Sequence, residues 1–228
     1  MTRDEGTGNG LAAGTAQWPI EEAPAPTSVE GRTLSRKGER TRGALLEAAE
    51  QVFGALGYHE ASIVKITEAA GVAQGTFYRY FSSKQAIFEE LVVDLNRRVR
   101  HAMSEGAARG TTRAEAERHG FAAYLRFTAE HPALYRIIRQ AEFVSPATLR
   151  EHYEKIAAGY VEGLRRAMGE GEIVEADAEV LAYALMGAGE LVGMRWVLWA
   201  EASEVPEVVV DELAAFVSRG LGARNGWE

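Results

Sequence analysis

The chain has 228 residues, 46% of them hydrophobic, enough to bury a core in one large domain or two modest ones. It contains no cysteine, which excludes disulfide frameworks, thiolate nucleophiles and cysteine-ligated zinc, and a reducing cytoplasm is the compartment such usage fits. The net charge of −8 is uneven: residues 1–31 carry roughly −4, residues 32–100 roughly +3 and the remainder roughly −7, an asymmetry suited to a nucleic-acid-reading head on an acidic body.

Residues 1–34 lack periodicity and are rich in Gly, Pro, Thr and Ala, so they are expected to form a disordered arm with no signal-peptide character. At its end stand Arg32, Arg36, Lys37, Arg40 and Arg42, which suit phosphates or, alternatively, a solvated helix start. From Arg36 onward Leu45, Leu46, Ala49, Val52 and Phe53 share one helical face, and Gly54 and Gly57 are expected to end that helix. Ser62 suits the N-cap of a short second helix carrying Ile63, Ile66, Ala69 and Ala70, broken by Gly71. A third helix is predicted over 73–80, and a fourth, capped by Ser82 and Ser83, to about Met103. Further helices are predicted over 114–130, 132–142, 146–168, 176–200 and 206–221, punctuated by Pro132, Pro146, Pro206 and glycine pairs. The apolar stretch 181–200 approaches spanning length, but Glu190 and Arg195 inside it favour a buried or interface helix. No segment alternates as a strand, so the fold class is all-α.

Two short helices around a tight glycine turn, with a longer helix across both, make a helix-turn-helix, whose second helix enters the major groove. Gly71 permits the turn, while Ile66, Ala70, Val72, Phe77 and Phe81 close a small core. The opposite face leaves Gln74, Thr76, Tyr78, Arg79 and Tyr80 for solvent or DNA. Gln can bond an adenine edge, Thr a thymine methyl or a phosphate, and Arg guanine or phosphate. The string from Ile66 through Gly71, Gln74-Gly75-Thr76-Phe77-Tyr78 and Tyr80-Phe81 to Lys84 closely resembles the recognition segment of the tetracycline repressor (TetR) family, and the likeness runs from about Arg40 to about Leu95.

That resemblance implies an N-terminal three-helix helix-turn-helix domain at 35–83 and a C-terminal helical ligand-binding and dimerisation domain at 84–228. It implies that Gln74, Gly75 and Thr76 face bases or adjacent backbone, that Tyr78, Tyr80 and Lys84 hold phosphates, and that Ser62 and Lys65 flank them; Arg42 and Arg79 complete the expected DNA-binding set. The chain departs from the family pattern at Ala73, often a capping serine, and at Val64, often polar. The function implied is a transcriptional regulator, expected to be a repressor and homodimer on pseudo-palindromic operator DNA, released by a small hydrophobic effector; the arrangement of the segments from Glu130 to Arg136 and from Met194 to Trp199 resembles that of regulators associated with acyl-CoA or lipid metabolism, which implies an acyl-CoA-like one.

Beyond residue 110 the likeness is only in helix order. The aromatics Phe121, Tyr124, Phe127, Tyr135, Phe143, Tyr153, Tyr160 and Trp196 suffice to line a cavity as well as fill a core. Ligand contacts are expected from Tyr124, Phe127, His131, Tyr135, Arg136, Arg139, Phe143, Tyr160 and Glu190, with surface ion pairs the alternative for the arginines. Gly187, Gly189 and Gly193 allow close helix approach, and the resemblance implies that the last two long helices make the dimer's four-helix interface, so Gly189, Gly193, Trp196, Val209, Leu213 and Phe216 are the expected dimer interface; packing within one subunit is the alternative. An enzyme is the chief competing class. The five histidines have no metal-ligand spacing and no glycine-rich phosphate loop follows a strand, so neither catalytic residues, a metal nor a cofactor is expected. A plain protein-interaction bundle would leave the basic, aromatic third helix unexplained.

Overall fold

A computed structural model describes residues 26–222, and among them every extended element is a helix. Ser35 opens α1 (Arg36–Glu60) by accepting the Gly38 amide on its Oγ, and Leu45, Leu46, Ala49 and Phe53 form the buried stripe. The helix turns sharply at Gly57, whose φ of 77° other residues rarely adopt. Gly54, expected to help end this helix, instead lies inside it. A Cβ there would come within 2.5 Å of the Ala133 Cβ, so its role is close approach of another helix.

α2 (Ile63–Ala69) begins at Ser62, whose Oγ accepts the Lys65 amide at 3.2 Å, and Gly71 reverses the chain at φ 65°. α3 (Gln74–Phe77) is a single turn rather than the helix over 73–80 that spacing predicts. After Phe77 the chain tightens: the Tyr80 and Phe81 amides share the Phe77 carbonyl, at 2.9 and 3.0 Å. α4 (Lys84–Ala107), capped by Ser83 Oγ on the Ala86 amide, runs a full turn past the predicted end. Its first half meets the head, with Phe88 edge-on to Phe53 at 5.2 Å, and Leu95, Val99 and Met103 in its second half enter the body.

The body comprises α5 (Arg113–Glu130), α6 (Ala133–Val144), α7 (Pro146–Gly169), α8 (Ala178–Gly193) and α9 (Glu207–Gly220). α8 starts later than predicted because Asp177 caps it, its Oδ1 accepting the Glu179 and Val180 amides. It runs on into a π-helical turn, Met194–Leu198, closed by the Trp199 amide on the Met194 carbonyl at 2.9 Å. One hydrophobic core extends from Leu45 in the head to Leu221 in the body.

The expected disordered arm needs correction over its last part. Residues 26–34 form a small hairpin closed by an antiparallel bridge between Thr27 and Thr33, because backbone bonds within it and to the head satisfy its polar groups without much apolar burial. Residues 1–25 lie outside the described residues.

Candidate nucleic-acid interface and effector cavity

The head presents α3 outward from a small rigid core. Ile66, Phe77 and Phe81 are fully or almost fully buried, and buried Thr67 ties α2 to the turn through its carbonyl, which accepts the Val72 amide at 3.0 Å. Gln74, Gly75, Tyr78 and Arg79 are exposed, and Thr76 and Tyr80 half-buried, so this face keeps its polar and aromatic groups for something outside the subunit. A Cβ on Gly75 would meet no atom within 4 Å. Packing in the subunit therefore does not require glycine there, whereas close approach to a groove would. Ala73 supplies no side-chain cap to α3, and Val64 on α2 is exposed.

Three expected DNA contacts have other work. Arg42 is ion-paired with Glu90 of α4 and lies over the Phe81 ring at 5.3 Å, and burial pulls its pKa down despite nearby Asp94. It braces α1 against α4 instead of reaching outward. The Lys84 ammonium donates to the Tyr58 carbonyl at 2.8 Å and the Ala61 carbonyl at 2.9 Å, and sits 4.4 Å from the Tyr58 ring centre. At the first position of α4 a cation gains nothing from its own helix dipole, but the carbonyls ending α1 offer the matching partners. Ser62 is used as the α2 cap, while Lys65 is exposed and donates to the Glu60 carbonyl at 2.9 Å.

Behind the head, α4 to α8 enclose a narrow, mostly apolar cavity of about 50 Å³. Tyr124, Tyr135, Tyr160 and Glu190 line it as expected, together with Phe121, Tyr153, His152, Met103 and aliphatic side chains that spacing alone did not single out as contacts. Polar groups inside are paired: the Tyr153 hydroxyl donates to Glu190 at 3.0 Å and the Tyr135 hydroxyl to that of Tyr124 at 3.0 Å. Burial pushes the Tyr124, Tyr135, Tyr153 and Tyr160 hydroxyls up, so all four stay protonated donors at neutral pH. One cavity residue is bonded straight to α4. The Asn96 side-chain amide donates to the His152 carbonyl at 2.9 Å and to its Nδ1 at 3.0 Å, and Arg100 Nε donates to Asn96 Oδ1 at 2.9 Å. Burial, with Arg100 adding to it, pulls His152 down to about 4, so the ring is neutral.

Five expected ligand residues do not line the cavity, for one geometric reason and one local one. α6 turns Leu134, Tyr135, Ile138 and Ala141 inward, which sends Arg136, Arg139 and Phe143 to the opposite face. Arg136 donates to the Gly54 carbonyl at 3.2 Å, Arg139 rests near Met194 Sδ at 3.9 Å, and Phe143 is 82% exposed. His131 caps α5 beyond the cavity end, with Phe127 beside it at 4.5 Å between ring centres. His131 Nδ1 is 2.9 Å from Glu50, and Arg98 donates to its Nε2 at 2.9 Å, a junction that joins α1, α4 and the α5–α6 corner.

The sequence profile of bacterial regulatory proteins of the tetR family matches residues 45–91, the span that carries this outward-facing turn. The Bacillus subtilis HTH-type transcriptional regulator YdgC is 45% identical over 67 residues, 29% of this chain and 34% of that protein. The HTH-type transcriptional activator FasR of Mycolicibacterium smegmatis is 33% identical over 136 residues, 58% of this chain and 60% of that protein. These matches therefore span about a third and three fifths of the relatives' lengths. Among solved structures, the transcriptional regulator FadR from Bacillus subtilis in complex with stearoyl-CoA superposes with a TM-score of 0.69 at 21% identity, over 78% of this chain and 98% of that one, a likeness of fold. Over residues 45–91 the chain matches the tetR family of bacterial regulatory proteins.

In the body, outside the matched span, the small-residue stripe of α8 packs inward. A Cβ on Gly189 would come within 2.8 Å of the Phe121 ring, and Gly193 lies against the Tyr135 hydroxyl, so both serve the subunit's own core and are removed from the expected interface. Leu213 is also buried, Trp196 and Val209 are half-buried, and Phe216 is 62% exposed. Spacing shows that a helix can approach, not which one does. The unpartnered apolar face is the other side: Val180, Tyr183 and Leu191 on α8, with Val208 and Phe216 on α9. Ala178–Leu198 is long and apolar enough by composition to cross a membrane; a third of its most apolar window is buried within the subunit, and Glu190 inside it accepts from the Tyr153 hydroxyl.

Proposed function

We propose that the chain is a DNA-binding transcriptional regulator, without enzymatic activity, whose hold on operator DNA is set by a small hydrophobic ligand in the body cavity. The observation that carries this reading is the outward display of Gln74, Gly75, Thr76, Tyr78 and Arg79 on a head whose α4 is also a wall of the cavity. Two heads are supplied by a homodimer formed through the exposed apolar face of α8 and α9, and a two-fold dimer calls for a pseudo-palindromic operator with half-sites about 34–36 Å apart or a multiple. Such work belongs in the cytoplasm.

The cavity is far smaller than the roughly 300–1,000 Å³ of ordinary ligand sites, so a ligand has to part α4 from α7 and α8. A ligand that binds only the parted form shifts the head positions, and a tenfold loss of operator affinity needs about 1.4 kcal/mol of coupling. We take the closed, ligand-free form as the operator-binding one, so that ligand lifts repression; the similar protein FasR is named an activator, the opposite sign of control. An acyl chain suits an apolar slot ringed by tyrosines, and the FadR complex with stearoyl-CoA supports an acyl-CoA-like ligand. In that case the chain lies in the cavity and the polar head outside. Stearoyl-CoA titrated into a complex with an operator selected from random duplexes should release the DNA; unchanged operator affinity with stearoyl-CoA demonstrably bound would refute the switch.

A further inference from the structure

The hairpin 26–34 is turned at Gly31, φ 77°, and held by the Ser28 amide on the Arg32 carbonyl at 2.9 Å and the Leu34 amide on the Pro26 carbonyl at 3.2 Å. It is docked: the Val29 amide donates to the Arg79 carbonyl at 3.1 Å, just past α3. Tyr80, next in the chain, places its hydroxyl beside Gly38 in the first turn of α1. The hairpin, the start of α1 and the exit of α3 therefore form one contiguous surface.

That surface is basic. Arg32 on the hairpin and Arg36, Lys37 and Arg40 on α1 are exposed, interspersed with the acids Glu30 and Glu39. Arg36, Lys37 and Arg40 enter no ion pair among the described residues. Arg32 reaches Glu30 at 3.4 Å with both side chains mostly in water, a pairing too weak to hold it back from a stronger anion. A row of exposed cations beside the outward-facing α3, on a protein of net charge −8, has an obvious complement in a duplex carrying a phosphate charge about every 1.7 Å of its axis.

We propose that the docked hairpin and the first turns of α1 form a second DNA-contacting element, lying along the phosphates that flank each half-site. This rests on the DNA-binding reading above and adds to it a contact outside the recognition helix. Phosphate contacts fix register and strengthen binding without choosing sequence, so the element extends the footprint and leaves base preference to α3. Its docking on Arg79 lowers the ordering cost that a loose arm would meet on binding.

The test uses the full chain and an operator that the unmodified protein selects from random duplexes, embedded in long flanks. The Arg36→Ala/Arg40→Ala variant should bind about tenfold more weakly, flatten the log–log salt dependence by about 0.9 for each phosphate it no longer neutralises, and keep its base preference. Val29→Pro retains every charge but removes the docking amide; its hydroxyl-radical footprint should recede on the outer side of each half-site. Circular dichroism of both variants should match the unmodified protein. Unchanged slope and footprint in both variants, or altered base preference in the double variant, would overturn the proposal while sparing the DNA-binding reading. Failure of the unmodified protein to select any duplex would overturn both.

Discussion

Lys84 shows how a side chain at a familiar motif position can be committed to holding the head together. Its ammonium bridges the Tyr58 and Ala61 carbonyls and covers the Tyr58 ring, joining α4 to the end of α1 beyond its kink at Gly57. Hydrogen bonds to charged groups contribute about 1.5–3 kcal/mol, so Lys84→Met, which retains most of the stem, should lower unfolding stability by about 1–3 kcal/mol in a urea titration. A loss of DNA affinity with stability unchanged would instead return Lys84 to the phosphates. His152 makes a pH prediction. The folded protein holds it near 4 against an ordinary 6.5, so between those values the unfolded chain binds more protons and stability falls as pH drops. Stability is complete above 6.5 and decreases by about 3 kcal/mol in all by the acid side of 4. His152→Gln should flatten that part of the stability–pH profile; an unaltered profile would mean the ring is not the group responsible.

At the scale of elements, helix existence was legible because capping residues and apolar periodicity agree: Ser62 and Ser83 cap helices whose buried faces spacing identifies. The outward face of α3 was legible for the same reason, since Phe77 and Phe81 fix which side goes in. Contacts between distant segments were not. Asn96 and His152 are 56 residues apart and nothing in their spacing joins them, and the α6 arginines looked like cavity residues until the inward set of that helix was fixed by Leu134, Ile138 and Ala141. The glycines of α8 were misassigned because a small residue marks close approach without naming the neighbour. Substitutions on the two sides of that helix should have opposite effects. Gly189→Ala should cost about 1–3 kcal/mol through overpacking against Phe121 and leave the dimer intact. Leu191→Glu with Phe216→Glu should keep the helical signal but halve the mass seen by light scattering, because the charges fall on the unpartnered face. A dimer that survives the double change places the interface elsewhere.

For the whole molecule, the acidic body and the basic head edge are one design: α4 starts beside the recognition helix and ends as a cavity wall, bonded through Asn96 to His152. In the proposed switch a head so joined responds to what the body holds, and that proposal stands first on the head reading DNA. The decisive measurement is equilibrium binding of the selected operator, and of single-base variants of it, by the unmodified protein and by Gln74→Ala across a salt series. Affinity should fall steeply with salt for both proteins at nearly the same slope, and the alanine variant should lose discrimination, by about 1–3 kcal/mol, at one base position in each half-site. Salt-insensitive binding, or discrimination identical in the two proteins, would contradict the outward-facing turn as the DNA reader.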